Sequence, residues 1–167
     1  MMVTSVKSNL GLIDQANLKS DEKVLLKLNY PMFPDEVSLL IKKGKYLVLS
    51  TDFYSKLDKC RMYSQSEFPL KSLPWIIDRI ENGFWKKPAE GGLSDFERSV
   101  SSEFEGEVIG INVKMHCCAE NLNGFNIWNT SRTSYLNKMS NQGWDVPVYM
   151  LKDGLLDELK KIAAKYS

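Results

Sequence analysis

Hydrophobic and polar positions begin to alternate at residue 23. Val24, Leu26, Leu28 and Tyr30 share one side of an extended chain, which is the period of a β-strand. Pro31 and Pro34 interrupt it, a short apolar run from Val37 to Ile41 follows, and Lys43-Gly44 reads as a hairpin turn. Residues 45–51 are β-branched and aromatic and residues 59–68 alternate again, so strands are expected up to about residue 68. The period then changes. Leu73, Ile76, Ile77, Ile80 and Phe84 form one apolar stripe, with Ser72 as N-cap, Pro74 in the first turn and Gly83 at the exit. Residues 85–95, with Pro88 and Gly91-Gly92, read as a crossing loop.

The same order then recurs. Phe96, Val100 and Phe104 are expected to face inward, Glu105-Gly106 turns the chain, and residues 107–118 form a strand. Its inward set is Ile109, Ile111, Val113, Met115 and Cys117. Asn123-Gly124 is a tight-hairpin signal, because that pair accepts positive φ. Residues 131–143 read as polar and irregular. Residues 144–150 read as a strand in which Pro147 requires an edge or a bulge. A second helix follows, capped by Asp153, with the stripe Leu155, Leu156, Leu159, Ile162, Ala163 and Tyr166. The expectation is one α+β domain over 23–167, made of two ββββα blocks (23–88 and 89–167) with antiparallel sheets and packed helices. A polar arm, residues 1–22, is expected to be loosely held.

Composition changes this picture little. With 43% hydrophobic and 26% charged residues in 167, the chain can bury a core without staples. No segment has the make-up of a signal peptide or a spanning helix, and three cysteines make no disulfide framework. A reducing cytoplasm and no membrane association are therefore expected. The net charge of +1 lacks the excess typical of dedicated nucleic-acid binders. His116, Cys117, Cys118 and Cys60 are the nearest thing to a ligand or nucleophile cluster. On a strand, adjacent residues point to opposite faces, so no metal site is expected there. His116 and Cys118 would share a face, but nothing identifies an oxyanion hole or a loop exposing a nucleophile, so no catalytic dyad is expected either. No phosphate-binding glycine loop occurs. The reading is a non-enzyme without cofactor or metal.

The distribution of charge is more informative. Residues 1–88 hold 14 basic and 10 acidic side chains, a net of +4, and residues 89–167 hold 8 and 11, a net of −3. Glu97, Glu103, Glu105 and Glu107 suggest an acidic strip that would attract a basic partner, with Trp128 as an aromatic anchor. Lys43, Lys45 and Arg61 with Tyr46 and Tyr63 are the alternative, a cationic and aromatic set suited to single-stranded nucleic acid.

The two-block order resembles the Whirly family of single-strand-binding proteins, in layout over residues 23–166 rather than in a motif. In size, exposed acidic sheet and absent catalytic residues, the chain also resembles bacterial immunity proteins of contact-dependent growth inhibition systems. That resemblance implies stoichiometric binding and occlusion of a cytotoxic, nuclease-type and basic toxin domain. The Whirly resemblance implies nucleic-acid binding.

Overall fold

The computed structural model describes residues 7–167, and the first six residues of the expected arm lie outside the described residues. Four strands come first: β1 (Glu22–Leu28), β2 (Val37–Lys43), β3 (Tyr46–Ser55) and β4 (Cys60–Pro69). They form one antiparallel sheet in chain order. A second four-stranded sheet follows the same rule with β5 (Ser99–Phe104), β6 (Glu107–Lys114), β7 (Gly124–Thr133) and β8 (Asn141–Pro147). Helix α1 (Leu73–Asp78) follows the first sheet. Two segments, α2 (Val148–Met150) and α3 (Leu156–Tyr166), follow the second. The expected α+β layout of two ββββα blocks is the one observed.

The chain divides into two compact units that do not follow the two blocks. One holds the described residues through Phe68 together with Asn129–Trp144, and the other holds Pro69–Trp128 with Asp145–Ser167.

In the first unit a register shift between Val24 and Leu26 interrupts the β1–β2 ladder. The extra residue reverses the alternation, so Val24, expected inward, is exposed while Leu28 is buried. The β2–β3 hairpin closes over Gly44-Lys45, and Gly44 supplies the positive φ of +56°. Residues 8–15 are not a loose arm. Ile13 is buried against Ile41 and Val48, and side chains from β4 and from the β7–β8 connection take up the backbone of this segment. Gln65 Oε1 accepts the Ile13 N–H at 2.8 Å, and Tyr135 Oη accepts that of Gly11 at 2.9 Å. Of residues 131–143, expected to be irregular, 131–133 end β7 and 141–143 begin β8, while residues 134–140 form the irregular connection between them.

In the second unit α1 buries Leu73, Ile76 and Ile77 as its spacing demands, and Ile80 continues the stripe into a wider turn, Arg79–Phe84. Ser72 does not cap it. A 3-10 turn (Leu70–Ser72) leads in, and the Ser72 hydroxyl donates to the Pro69 carbonyl at 2.7 Å. The last helical region starts earlier than expected, at Val148, because β8 stops at Pro147. It kinks at Gly154, whose φ of +125° only glycine adopts easily. Asp153 therefore lies inside the kink and caps nothing. Beyond it, Leu156, Leu159 and Ile162 are buried, α3 packs on α1, and Lys160 pairs with Glu81 at 2.8 Å.

Three local expectations for the second sheet need correction. Phe96 is 95% exposed, because β5 begins only at Ser99 and Phe96 sits in the turn before it. Met115 is also exposed, because β6 ends at Lys114. Asn123-Gly124 is not a tight hairpin, since β6 and β7 are joined by residues 115–123. Gly124 is required for space instead. A Cβ there would lie 2.5 Å from both Cys117 Sγ and the Val146 carbonyl oxygen.

Candidate functional site

The β5–β6 register decides which side chains of the second sheet face out. Val100 pairs with Ile111 and Ser102 with Ile109, so these four belong to the inward face. Ser99, Ser101 and Glu103, opposite Asn112, Gly110 and Val108, belong to the outward one. Trp128 joins this outward set. A Cβ on Gly110 would fall within the Trp128 indole, so the ring lies against the bare backbone of Gly110, a position any other residue would block. Its indole N–H donates to Asn112 Oδ1 at 3.0 Å, and the Ser99 hydroxyl donates to the same oxygen at 2.5 Å. Along the same face Lys114 pairs with Asp145 at 2.6 Å, and Asn126 donates to the other oxygen of Asp145 at 2.8 Å. The Asp145 hydrogen bond, ahead of the Coulomb attraction, raises the pKa of Lys114. The result is a half-buried indole fixed flat on a sheet, ringed by short polar side chains, with the nearby cation already neutralised.

The acidic strip does not survive as one surface. Glu103 is exposed on the Trp128 face. Glu97 lies before β5 and lines a groove of about 540 Å³ whose walls include Phe84, Trp85, Phe125 and Arg98. Glu105 occupies the β5–β6 turn with φ of +51° and pairs with Lys71 at 3.1 Å. Glu107 is fully buried, because it shares the parity of Ile109 and Ile111 and so points inward. It cannot meet a partner.

The alternative cationic set is also divided. Lys43, Lys45 and Tyr46 are at the β2–β3 hairpin. Lys43 is largely buried and ion-paired with Glu22 at 2.7 Å, and the Tyr46 ring lies under the Arg132 guanidinium at 4.8 Å. Arg61 and Tyr63 are on the other side of the sheet's length, at the start of β4, and Arg61 is paired with Asp52. Tyr46 and Asp52 are six strand positions apart, a span of about 20 Å at ~3.3 Å per residue. Tyr63 remains exposed. Cys60 begins β4, whereas His116, Cys117 and Cys118 lie in the 115–123 connection. Among the described residues no group of three or more His, Cys, Asp or Glu converges as a metal site would need.

Sequence reasoning overlooked a buried polar hub in the first unit. Glu67 and Arg132 are almost completely enclosed and meet at 3.4 Å. Glu67 Oε2 accepts the Tyr135 hydroxyl at 2.6 Å and the Gln65 amide at 2.7 Å. Its Oε1 accepts the Leu10 N–H and the Gln142 amide, both at 3.2 Å. Arg132 also donates to the Ser8 carbonyl at 2.6 Å. A carboxylate so saturated with donors has no lone pair left to act as a base. Its work is to fasten residues 8–11. The available signal was Arg132 itself, a lone charge within the otherwise uncharged stretch 121–137.

The chain matches no protein-family model, and a search of curated proteins finds no match either. Among the described residues no helix is long and apolar enough to cross a membrane.

Proposed function

We propose that this protein is a non-catalytic binding module, most concretely an immunity protein that neutralises a cytotoxic nuclease-type domain in the cytoplasm by stoichiometric occlusion. The observation that carries the reading is the Trp128 indole held on Gly110, on the same sheet face as exposed Glu103. Interface hot spots favour large aromatic rings in pre-organised positions, because burying them loses little side-chain entropy. Asn112 and Asp145 have fixed this ring's surroundings in advance. Glu103 has no ion pair among the described residues and is available to a cation that the toxin uses to grip phosphate.

The test is co-purification with a co-expressed candidate nuclease domain. Trp128→Ala should weaken the complex by about 30-fold, the ~2 kcal/mol of a hot spot. Glu103→Lys should weaken it further at low salt. Variants that fold normally and bind like the unaltered protein would refute this face. A salt-sensitive shift of single-stranded oligonucleotide that Lys45→Glu abolishes would replace the reading by nucleic-acid binding.

A further inference from the structure

The connection between β1 and β2 carries aromatic side chains that do not all enter the core. Phe33 is exposed, as is Tyr54 near the end of β3. Both line a cavity of about 250 Å³ together with Phe53, Asp35, Glu36 and Lys56. The β2–β3 register explains the grouping. Val37 pairs with Asp52, so Glu36, one position earlier, comes beside Phe53, one position later. The connection itself is held in advance. Pro31 and Pro34 fix two φ angles. The Phe33 N–H donates to the Tyr30 carbonyl at 2.9 Å, and the Glu36 N–H donates to the Phe33 carbonyl at 3.1 Å. The Tyr30 ring lies 6.3 Å from that of Phe33 between centroids, and its hydroxyl accepts the Trp144 indole N–H at 3.0 Å. Among the described residues no cation pairs with Glu36, whose side chain accepts only the Ser38 hydroxyl, at 3.4 Å. Burial pushes its carboxyl above the ordinary carboxylate range, and Ser38 offsets only part of that.

We propose that this cavity binds a small zwitterion of the betaine class, its trimethylammonium head against the aromatic rings and Glu36 and its anionic end at Lys56. A cation over an aromatic face is attracted by the ring quadrupole, and more strongly where water is excluded. A trimethylammonium group suits these walls better than a primary ammonium, whose three N–H donors the rings cannot satisfy. The cavity is smaller than the about 300–1,000 Å³ of pockets for drug-sized molecules, so its occupant is small. Glu36 has already lost part of its hydration before a cation joins it. Asp35 brings the lining to two acids against one base, which favours a cationic head. Lys56 is exposed and, among the described residues, without an ion pair, so its ammonium is free to meet a carboxylate or phosphate.

Isothermal titration calorimetry of the full chain with glycine betaine should show saturable one-to-one binding. Choline should bind through the same head, and its uncharged isostere 3,3-dimethylbutan-1-ol about tenfold more weakly. Glu36→Gln and Tyr54→Ala should each weaken betaine binding about tenfold while leaving the urea midpoint nearly unchanged. Lys56→Ala should weaken betaine binding and leave that of tetramethylammonium intact. No saturable heat at millimolar betaine, or an isostere that binds as tightly as choline, would overturn the site. A Lys56→Ala chain that holds betaine as tightly as the parent would overturn the zwitterion assignment.

Discussion

Glu67 shows how a single residue sets the local fold. A carboxylate removed from water is stable only when its lone pairs are matched, and here a tyrosine hydroxyl, two amides, a backbone N–H and an arginine share the task. Tyr135 makes the shortest of these bonds, at 2.6 Å. Burial first, and then donation to Glu67, raise the pKa of Tyr135 above its ordinary value of 10.0. The folded state therefore keeps this proton after the unfolded chain has lost it. The stabilisation is complete below pH 10 and declines as pH rises above it. Tyr135→Phe should lower stability at pH 8 by about 1–2 kcal/mol, the worth of a hydrogen bond to a charged group discounted for partial exposure. The gap between variant and parent should narrow at pH 11. Urea midpoints at the two pH values measure it, and a gap independent of pH would show that Tyr135 ionises equally in both states.

At the scale of elements, periodicity carried most of the architecture. The apolar stripe of α1, the strands of the first sheet, the Glu105-Gly106 turn and the inward Ile109 and Ile111 follow from spacing alone. What spacing missed had local causes. A bulge reversed Val24, strand ends came sooner than the pattern suggested at Phe96 and Met115, and a 3-10 turn displaced the cap at Ser72. The Glu107 error was different in kind. Its parity with Ile109 already placed it inward, and its charge obscured that. Of the proposed binding surface, Trp128 and Glu103 were legible as residue types. The platform was not, because it depends on Gly110 standing opposite Trp128 on a neighbouring strand. Gly110→Ala tests that pairing. The new methyl must displace the indole, costing about 1–3 kcal/mol of overpacking and tilting the ring off the sheet. A lower urea midpoint together with a loss of partner binding equal to that of Trp128→Ala is the expected result. Unchanged binding would mean that the flat seat of the ring is irrelevant to recognition.

Over the whole molecule, charge is arranged to cancel. The net is +1, and many cations are matched close by: Lys43 with Glu22, Arg61 with Asp52, Lys71 with Glu105, Lys114 with Asp145 and Lys160 with Glu81. With a net charge near zero, steering by overall charge is weak, so the electrostatic attraction of a partner is expected to come from local groups. Glu103 and Trp128 should then act on different steps of binding. A charge at the rim works during approach, across a screening length of about 8 Å at physiological ionic strength and about 3 Å at 1 M. A ring buried at the centre works after contact, by resisting separation. For a basic toxin domain, Glu103→Lys should slow association several-fold at low salt and leave it nearly unchanged near 1 M. Trp128→Ala should speed dissociation by about 30-fold at either salt. Rapid-mixing kinetics at two ionic strengths separate the two effects. If Glu103→Lys alters only dissociation, equally at both salts, the carboxylate is part of the desolvated core of the interface, and its partner is a hydrogen-bond donor fixed opposite it rather than a diffuse basic surface.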